Sequence, residues 1–371
     1  MWHVLALLTL SLLLPAAVAA ATNSIQWGVN VHYGVLPDSV PKTQIAEELV
    51  TRNMKCVRLD ILGDDTNSLA QFRSFAAICR SQNIRVEAIL FTPFSKDHAR
   101  DKDTNASLRE IEDAAYASTK HQVERTVDLV QDYELQNEIS LYSGIKKQGA
   151  TGQNAADYDT PLGNRQAAAL RGMFKAVDDV RKDKHLPLRI ILGTTDRSFG
   201  LLAFMQEHGV LFDVVGYHHY PWDKHPPLDQ DPWFGPGGPL GQLAKFNKPI
   251  VINEFNCGEI YSGDSVHTGQ DYENKAGEPL TELGFRSLDK HLREIVNQKS
   301  ANIEAVLFYE LYDEPDQKPP ENHFGFYYDL LLTKPKVSLL LVTSFSGGRL
   351  SRAEWEELSK RGIGWTDHSN P

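Results

Sequence analysis

The chain has 371 residues, enough for one large domain or two ordinary ones, and its 41% hydrophobic and 23% charged residues are those of a soluble globular protein. A net charge of −11 without any Lys/Arg stripe argues against the phosphate backbone of a nucleic acid as partner. Three cysteines, Cys56, Cys79 and Cys257, are too few for a disulfide scaffold, and their odd number leaves at least one thiol free.

The apolar run from Leu5 to Leu14, followed by Pro15 and the small residues up to Ala21, reads as a signal peptide over residues 1–20. It is too short to cross a bilayer as a helix, and no later segment is apolar enough to do so. The expectation is therefore a secreted or periplasmic protein, with residues 21–371 as one domain. Strands are expected over 25–32, 56–61, 85–91, 133–138, 188–194, 212–220, 249–255 and 305–311. Helical periodicity covers 43–53, 69–81, 110–129, 165–182, 201–208, 240–245 and 281–297, and 351–361 reads as a final helix. Residues 334–343 fit either a strand or the start of the eighth helix. Cys56 and Cys79, in a strand and the following helix, fit either a bridge or two buried thiols. Asn105-Ala106-Ser107 is a glycosylation sequon that matters only in a glycosylating host.

These strands are apolar at nearly every position, which indicates parallel strands covered on both faces. No linker or repeat divides the chain, and eight βα units over some 300 residues fit an α/β fold, the single-domain (β/α)8 TIM barrel. Long loops after the fourth and sixth strands, 140–162 and 221–238, would lie on the active face.

Strand four ends in Asn137-Glu138 and strand seven in Asn253-Glu254, each just before a loop. Either glutamate alone reads as a solvated strand end or half an ion pair. Two on separate strand ends of one barrel are what glycosidic cleavage needs, one protonating the leaving oxygen and one attacking the anomeric carbon or activating water. Other polar residues fall on the same face: His32, Arg58, Asp60, His218, Tyr220 and Glu310. Alternation along the sixth strand turns His219 away from whichever way His218 faces, so the pair does not readily chelate a metal.

At this point the sequence resembles the clan A glycoside hydrolases, retaining enzymes on this barrel. The matching residues are Asn137-Glu138, Glu254, Arg58 and His218-His219-Tyr220, in the family's order. The segments Val-Gly-Tyr-His-His-Tyr-Pro and Lys-Pro-Ile-Val-Ile-Asn-Glu-Phe look most like those of cellulases and β-mannanases, and of β-xylosidases and bacterial exopolysaccharide glycosidases. The resemblance implies Glu138 as acid/base and Glu254 as nucleophile. Where the family usually has, at the end of strand eight, the Trp that floors the sugar site, this chain has Phe308-Tyr309-Glu310-Leu311-Tyr312, and Gln136 stands where a Trp often precedes the Asn-Glu pair. Asn137 could bond the sugar 2-hydroxyl, and Arg58 and Tyr220 could donate to Glu254 and keep it ionised; a barrel-core pair with Asp60 is the other reading of Arg58.

Trp222, Trp233, Phe234, Tyr309 and Tyr312 fall in loops or strand ends where rings can stack on sugars, and Trp27 lies deeper in the first strand. The substrate expected is a β-linked poly- or oligosaccharide cut internally. An exo-acting β-glycosidase such as a β-xylosidase, a metal-dependent hydrolase using His218 and His219, and a non-catalytic carbohydrate-binding barrel are the alternatives. The site set is thus Glu138 and Glu254 for catalysis, with His32, Arg58, Asn137, His218, Tyr220, Trp222, Tyr309 and Glu310 for binding. No cofactor or metal and a monomeric state are expected.

Overall fold

The structure, a computed structural model, describes residues 25–36, 40–61, 63, 65–94, 105–221, 225–256, 266–268, 271–273, 280–317 and 321–364. The signal segment, Trp222 and Cys257 lie outside the described residues. Eight parallel strands close into a barrel: β1 Gln26–Asn30, β2 Cys56–Asp60, β3 Arg85–Leu90, β4 Asp132–Leu135, β5 Arg189–Thr195, β6 Val214–His219, β7 Ile250–Phe255 and β8 Ile303–Phe308. Each strand lies beside its neighbour in sequence, and β8 closes onto β1 with Val29 opposite Phe308. This is the expected TIM barrel.

The helices are α1 Lys42–Thr51, α2 Thr66–Ser81, α3 Leu108–Thr126, α4 Pro161–Lys184, α5 Phe199–Glu207, α6 Gly238–Ala244, α7 Leu280–Asn297, α8 Val337–Ser346 and α9 Arg352–Ser359. Segment 334–343, ambiguous in the sequence, runs into α8. Their starts follow local chemistry. Asp65 accepts from the backbone N–H groups of Asn67 and Ser68 at α2, and Ser107–Glu110 and Ser351–Glu354 form capping boxes at α3 and α9. A short antiparallel pair, Val266–Thr268 with Asp271–Glu273, was not foreseen.

Alternation sorts each strand into two faces. Phe72, Phe75, Leu90, Tyr133 and Phe308 belong to the shell between strands and helices, the main core. Inside the barrel a smaller apolar layer consists of Cys56, Ile191, Val214, Val251, Ala305 and Leu307. Cys56 and Cys79 are buried free thiols, so no bridge joins them. Above that layer the lumen is polar, with Asn30, Arg58, Glu87, Glu134 and Asn253 all 2% exposed or less. Glycines make room for them: a Cβ at Gly193 would stand 2.7 Å from Glu134 Oε1, and one at Gly216 would stand 3.0 Å from Asn253 Nδ2.

Loop 140–162 is built rather than loose. It contains the 3-10 turn Ala155–Tyr158, capped by Asn154 and Asp157, and buries Tyr158 against Phe204 of α5.

Candidate active site

Two local departures from regular strand place the glutamates. β4 stops at Leu135, three residues short of the expected end, because Gln136 (φ 60°) and Glu138 (φ 47°) are left-handed. The turn sends Gln136 outward, its amide donating to Met173 Sδ at 3.6 Å, and brings the next two residues to the barrel mouth. On β7 the register slips: Val251 pairs with Gly216 and Glu254 with His218, so three steps of β7 match two of β6. The same slip occurs against β8. This bulge lets Asn253 and Glu254 both face the lumen, whereas strict alternation would send one to the helix side.

Arg58 organises the floor. Its Nε donates to Glu134 at 2.6 Å, Nη1 to Asn30 Oδ1 at 2.9 Å and to Glu254 at 2.6 Å, and Nη2 to Asn137 Oδ1 at 2.8 Å. The Asp60 pairing considered for Arg58 is replaced by Glu134 and Glu254. Since guanidinium only donates, Asn137 must turn its carbonyl oxygen to Arg58, leaving its NH2 for a substrate hydroxyl.

Glu254 also accepts from Tyr220 Oη at 2.6 Å and lies 3.1 Å from His218 Nδ1. Burial by itself would keep this carboxyl protonated. The charges of His218 and Arg58, with the hydrogen bonds from His218 and Tyr220, outweigh it and hold Glu254 well below the usual carboxylate range. His218 is raised well above the ordinary imidazole value, its burial overcome by Glu254, Glu134 and Glu138. Its Nδ1 is 3.0 Å from Glu138 Oε1, so one ring nitrogen sits between both candidate catalytic carboxylates. Its Nε2 lies 3.9 Å from Glu134 Oε1 and 3.4 Å from Arg58 Nη2. The nearest Glu138 and Glu254 oxygens lie within 4.8 Å of each other.

Two buried acids that the sequence reading passed over complete the charge balance. Glu134 is held low, its burial outweighed by Arg58 and His218. Glu87, which has no ion pair closer than 3.7 Å to Arg58, is pushed up to about 8 by burial and by Glu134. Glu134 has the guanidinium at 2.6 Å, so it keeps the charge and Glu87 keeps a proton. Two cations, Arg58 and His218, then face two anions, Glu134 and Glu254. A mid-strand Glu in an apolar run was the available signal for both residues.

At the rim His32 stands 2.7 Å from Glu314 and 3.2 Å from Glu310 through Nδ1, and 3.8 Å from Asp60 through Nε2. These acids outweigh burial and raise its ring well above the ordinary value. Glu310 is pushed up to about 8, chiefly by burial and further by Glu314, against the pull of His32. Glu310 is thus 1% exposed behind His32 rather than at the surface of the site. Tyr309 lines the same cavity.

Other aromatic candidates divide. Tyr312 is buried and donates to the His32 carbonyl at 2.9 Å, and Trp27 is stacked on Phe308 in the core, so neither offers a ring face to a sugar. Trp233 is exposed, and Phe234 is buried beside it. His219 faces away from His218, between Tyr217 and Phe255. Glu138, His218 and Glu254 could in principle hold a cation, as could His32, Glu310 and Glu314. In the first group Arg58 and Tyr220 already occupy the oxygens of Glu254, and a guanidinium 2.6 Å away opposes a metal ion.

No family model matches the chain, and no curated protein matches it by sequence. Among solved structures it is similar to the family 1 β-glucosidase of Thermotoga maritima, with TM-score 0.58 and 14% identity over 88% of this chain and 98% of that one. It is also similar to the GH53 catalytic domain of Ignisphaera aggregans, with TM-score 0.58 and 15% identity over 86% of this chain and 95% of that one. An exo-β-1,4-mannosidase from an Opitutaceae bacterium has TM-score 0.57 and 15% identity, over 89% of this chain and 60% of that one. These likenesses establish the fold, a TIM barrel.

Proposed function

We propose that the protein is a retaining glycoside hydrolase acting on a β-linked poly- or oligosaccharide. The observation that carries the reading is a pair of carboxylates with oxygens within 4.8 Å of each other, one of which Arg58 and Tyr220 keep ionised. That spacing suits direct attack rather than a water held between the two groups. The Glu254 carboxylate attacks the anomeric carbon while Glu138 transfers its proton to the glycosidic oxygen, which departs as an alcohol. Water then gives a proton to Glu138 as its oxygen displaces Glu254. Asn137 donates to the sugar 2-hydroxyl, and His32 and Asp60 at the rim meet the hydroxyls further from the reacting carbon.

The two glutamates are told apart by azide. Glu254→Gly with an activated substrate should give a glycosyl azide of inverted configuration, and Glu138→Ala one of retained configuration. Opposite anomers would reverse the roles, and no rescue in either folded variant would sink double displacement. Terminal cleavage is favoured by one observation: Arg58, His32 and Tyr309 line a cavity of only about 240 Å³. A monosaccharide as sole early product supports it; a ladder of oligosaccharides restores internal cutting. Export is supported by the Leu5 to Leu14 run, and the amino-terminal sequence of the secreted protein would test it.

A further inference from the structure

Outside the ring of contacts around Arg58, one group of charged side chains is out of balance. Glu310 and Glu314, 1% and 3% exposed, face His32, which among the described residues is the one cation within ion-pair reach of either. His32 Nδ1 stands 2.7 Å from Glu314 Oε1 and 3.2 Å from Glu310 Oε2, and Asp60 adds a third carboxylate 3.8 Å from Nε2. Buried charges of one sign are costly without a counter-charge, and one imidazolium does not balance these three.

Glu310 points to a ligand. Nδ1 has a single proton, and the shorter contact gives it to Glu314. Both Glu310 oxygens are then left without a hydrogen-bond partner, although the carboxylate is buried and Oε2 is directed at the ring nitrogen. Three donor atoms, one from each side chain, lie within 4.8 Å of one another. Bonds of about 2.0–2.2 Å to a metal ion set neighbouring ligand atoms roughly 3.0–3.4 Å apart, so the tightest edge of the cluster has to open only slightly. The surrounding contacts are those that hold ligands in place. Gln317 Nε2 donates to Glu314 Oε2 at 3.1 Å, Tyr312 Oη donates to the His32 carbonyl at 2.9 Å, and Asp60 lies on the Nε2 side of the ring.

We propose that His32 Nδ1, Glu310 and Glu314 hold a divalent transition-metal ion, Zn²⁺ or Mn²⁺. One imidazole nitrogen with two carboxylates suits these ions, whereas Ca²⁺ and Mg²⁺ prefer oxygen throughout. On binding, the Nδ1 proton leaves to water and the ring keeps its other proton on Nε2, toward Asp60. The ion takes the place of a proton between donors that already face one another, so closed donors are no bar to it. Entry is past His32, whose side chain is 24% exposed and lines the cavity that Arg58 floors. His32 follows the first strand, and Glu310 and Glu314 follow the last, so the ion would clip the seam at which the barrel closes. No short motif announces such a site, because its ligands come from opposite ends of the chain.

No step of the proposed reaction passes through the ion, so the test reads binding and stability rather than turnover. The full chain is stripped with EDTA and dialysed against Zn²⁺, Mn²⁺ or Ca²⁺, and the bound metal is counted by atomic emission. About one Zn²⁺ or Mn²⁺ per chain should be retained with a Kd below roughly 100 µM, and Ca²⁺ should bind at least tenfold more weakly. Glu310→Gln and Glu314→Gln, which keep the shape, should each weaken binding at least tenfold, whereas Glu138→Gln, in the other acid–imidazole group, should not. The wild-type Tm should rise with the ion, and the Tm of those two variants should not. Bound Mn²⁺ should show nitrogen coupling by pulsed electron paramagnetic resonance, absent in His32→Gln. Wild type that retains neither ion, a loss under tenfold in both folded glutamine variants at positions 310 and 314, or a loss in Glu138→Gln instead overturns the proposal. Should neither of those two variants fold, a wild-type Mn²⁺ signal without nitrogen coupling overturns it as well.

Discussion

Tyr220 contributes one of three contacts that keep Glu254 charged, and it is the one that can be removed without orphaning a buried ion. In Tyr220→Phe the depressed carboxyl of Glu254 should rise toward ordinary values. On the proposed mechanism the ionised form reacts, so the acid limb of the kcat/KM profile should move to higher pH, by roughly one unit. A fixed acid limb would separate Tyr220 from the ionisation of Glu254. Arg58 is less forgiving. Its fork reaches Glu134, Asn30, Glu254 and Asn137 at once, and a lysine has one point charge to place among them. Arg58→Lys should lose about 10³-fold in kcat/KM while remaining folded by circular dichroism. A loss under tenfold would mean that Arg58 only fills space. His219 shows what reading a residue singly misses: alternation correctly turns it from His218, but the side it turns to holds another cavity.

At the level of strands and turns, the site depends on breaks in periodicity. All eight strands were legible because each is an apolar run closed by polar residues, and the ends of the fourth and seventh drew the eye to Glu138 and Glu254. What was not legible is how those ends are shaped. Nothing in Gln136-Asn137-Glu138 announces two left-handed residues, since neither Gln nor Glu prefers that region, and the β7 bulge depends on registers with two neighbouring strands. The buried partners Glu87 and Glu134 were visible only as acids in apolar strands. Strand β5 offers a direct test of that interior. Gly193→Ala places a methyl 2.7 Å from Glu134 Oε1, and the carboxylate cannot leave Arg58 cheaply. Activity should fall by about tenfold or more with little change in secondary structure. Wild-type activity would show that Glu134 can shift without consequence.

Over the whole molecule, Glu87 links the site to stability. Its folded value of about 8 lies above that of an unfolded glutamate, so between the two the native state holds a proton that the unfolded chain has released. Its contribution is therefore full at low pH and is lost as pH rises through that window. Glu87→Gln, which keeps the shape without the acid, should stabilise the protein at pH 7 by on the order of 1–3 kcal/mol and hardly at all at pH 4, measured as Tm at both values. An equal effect at both would rule out a protonated Glu87. A different asymmetry concerns the two proposed catalytic carboxylates. Glu254 is borne within a strand paired on both sides, whereas Glu138 hangs beyond the last pairing of its strand on a left-handed turn. One is riveted to the hull and the other moored to it. Mild urea should slacken the mooring first, so Glu138, the proposed proton donor, would drift while Glu254, the proposed nucleophile, held its bearing. On the proposed function the protein would then fail by degrees, losing disaccharides while still turning over glycosyl fluorides, before the barrel itself gave way.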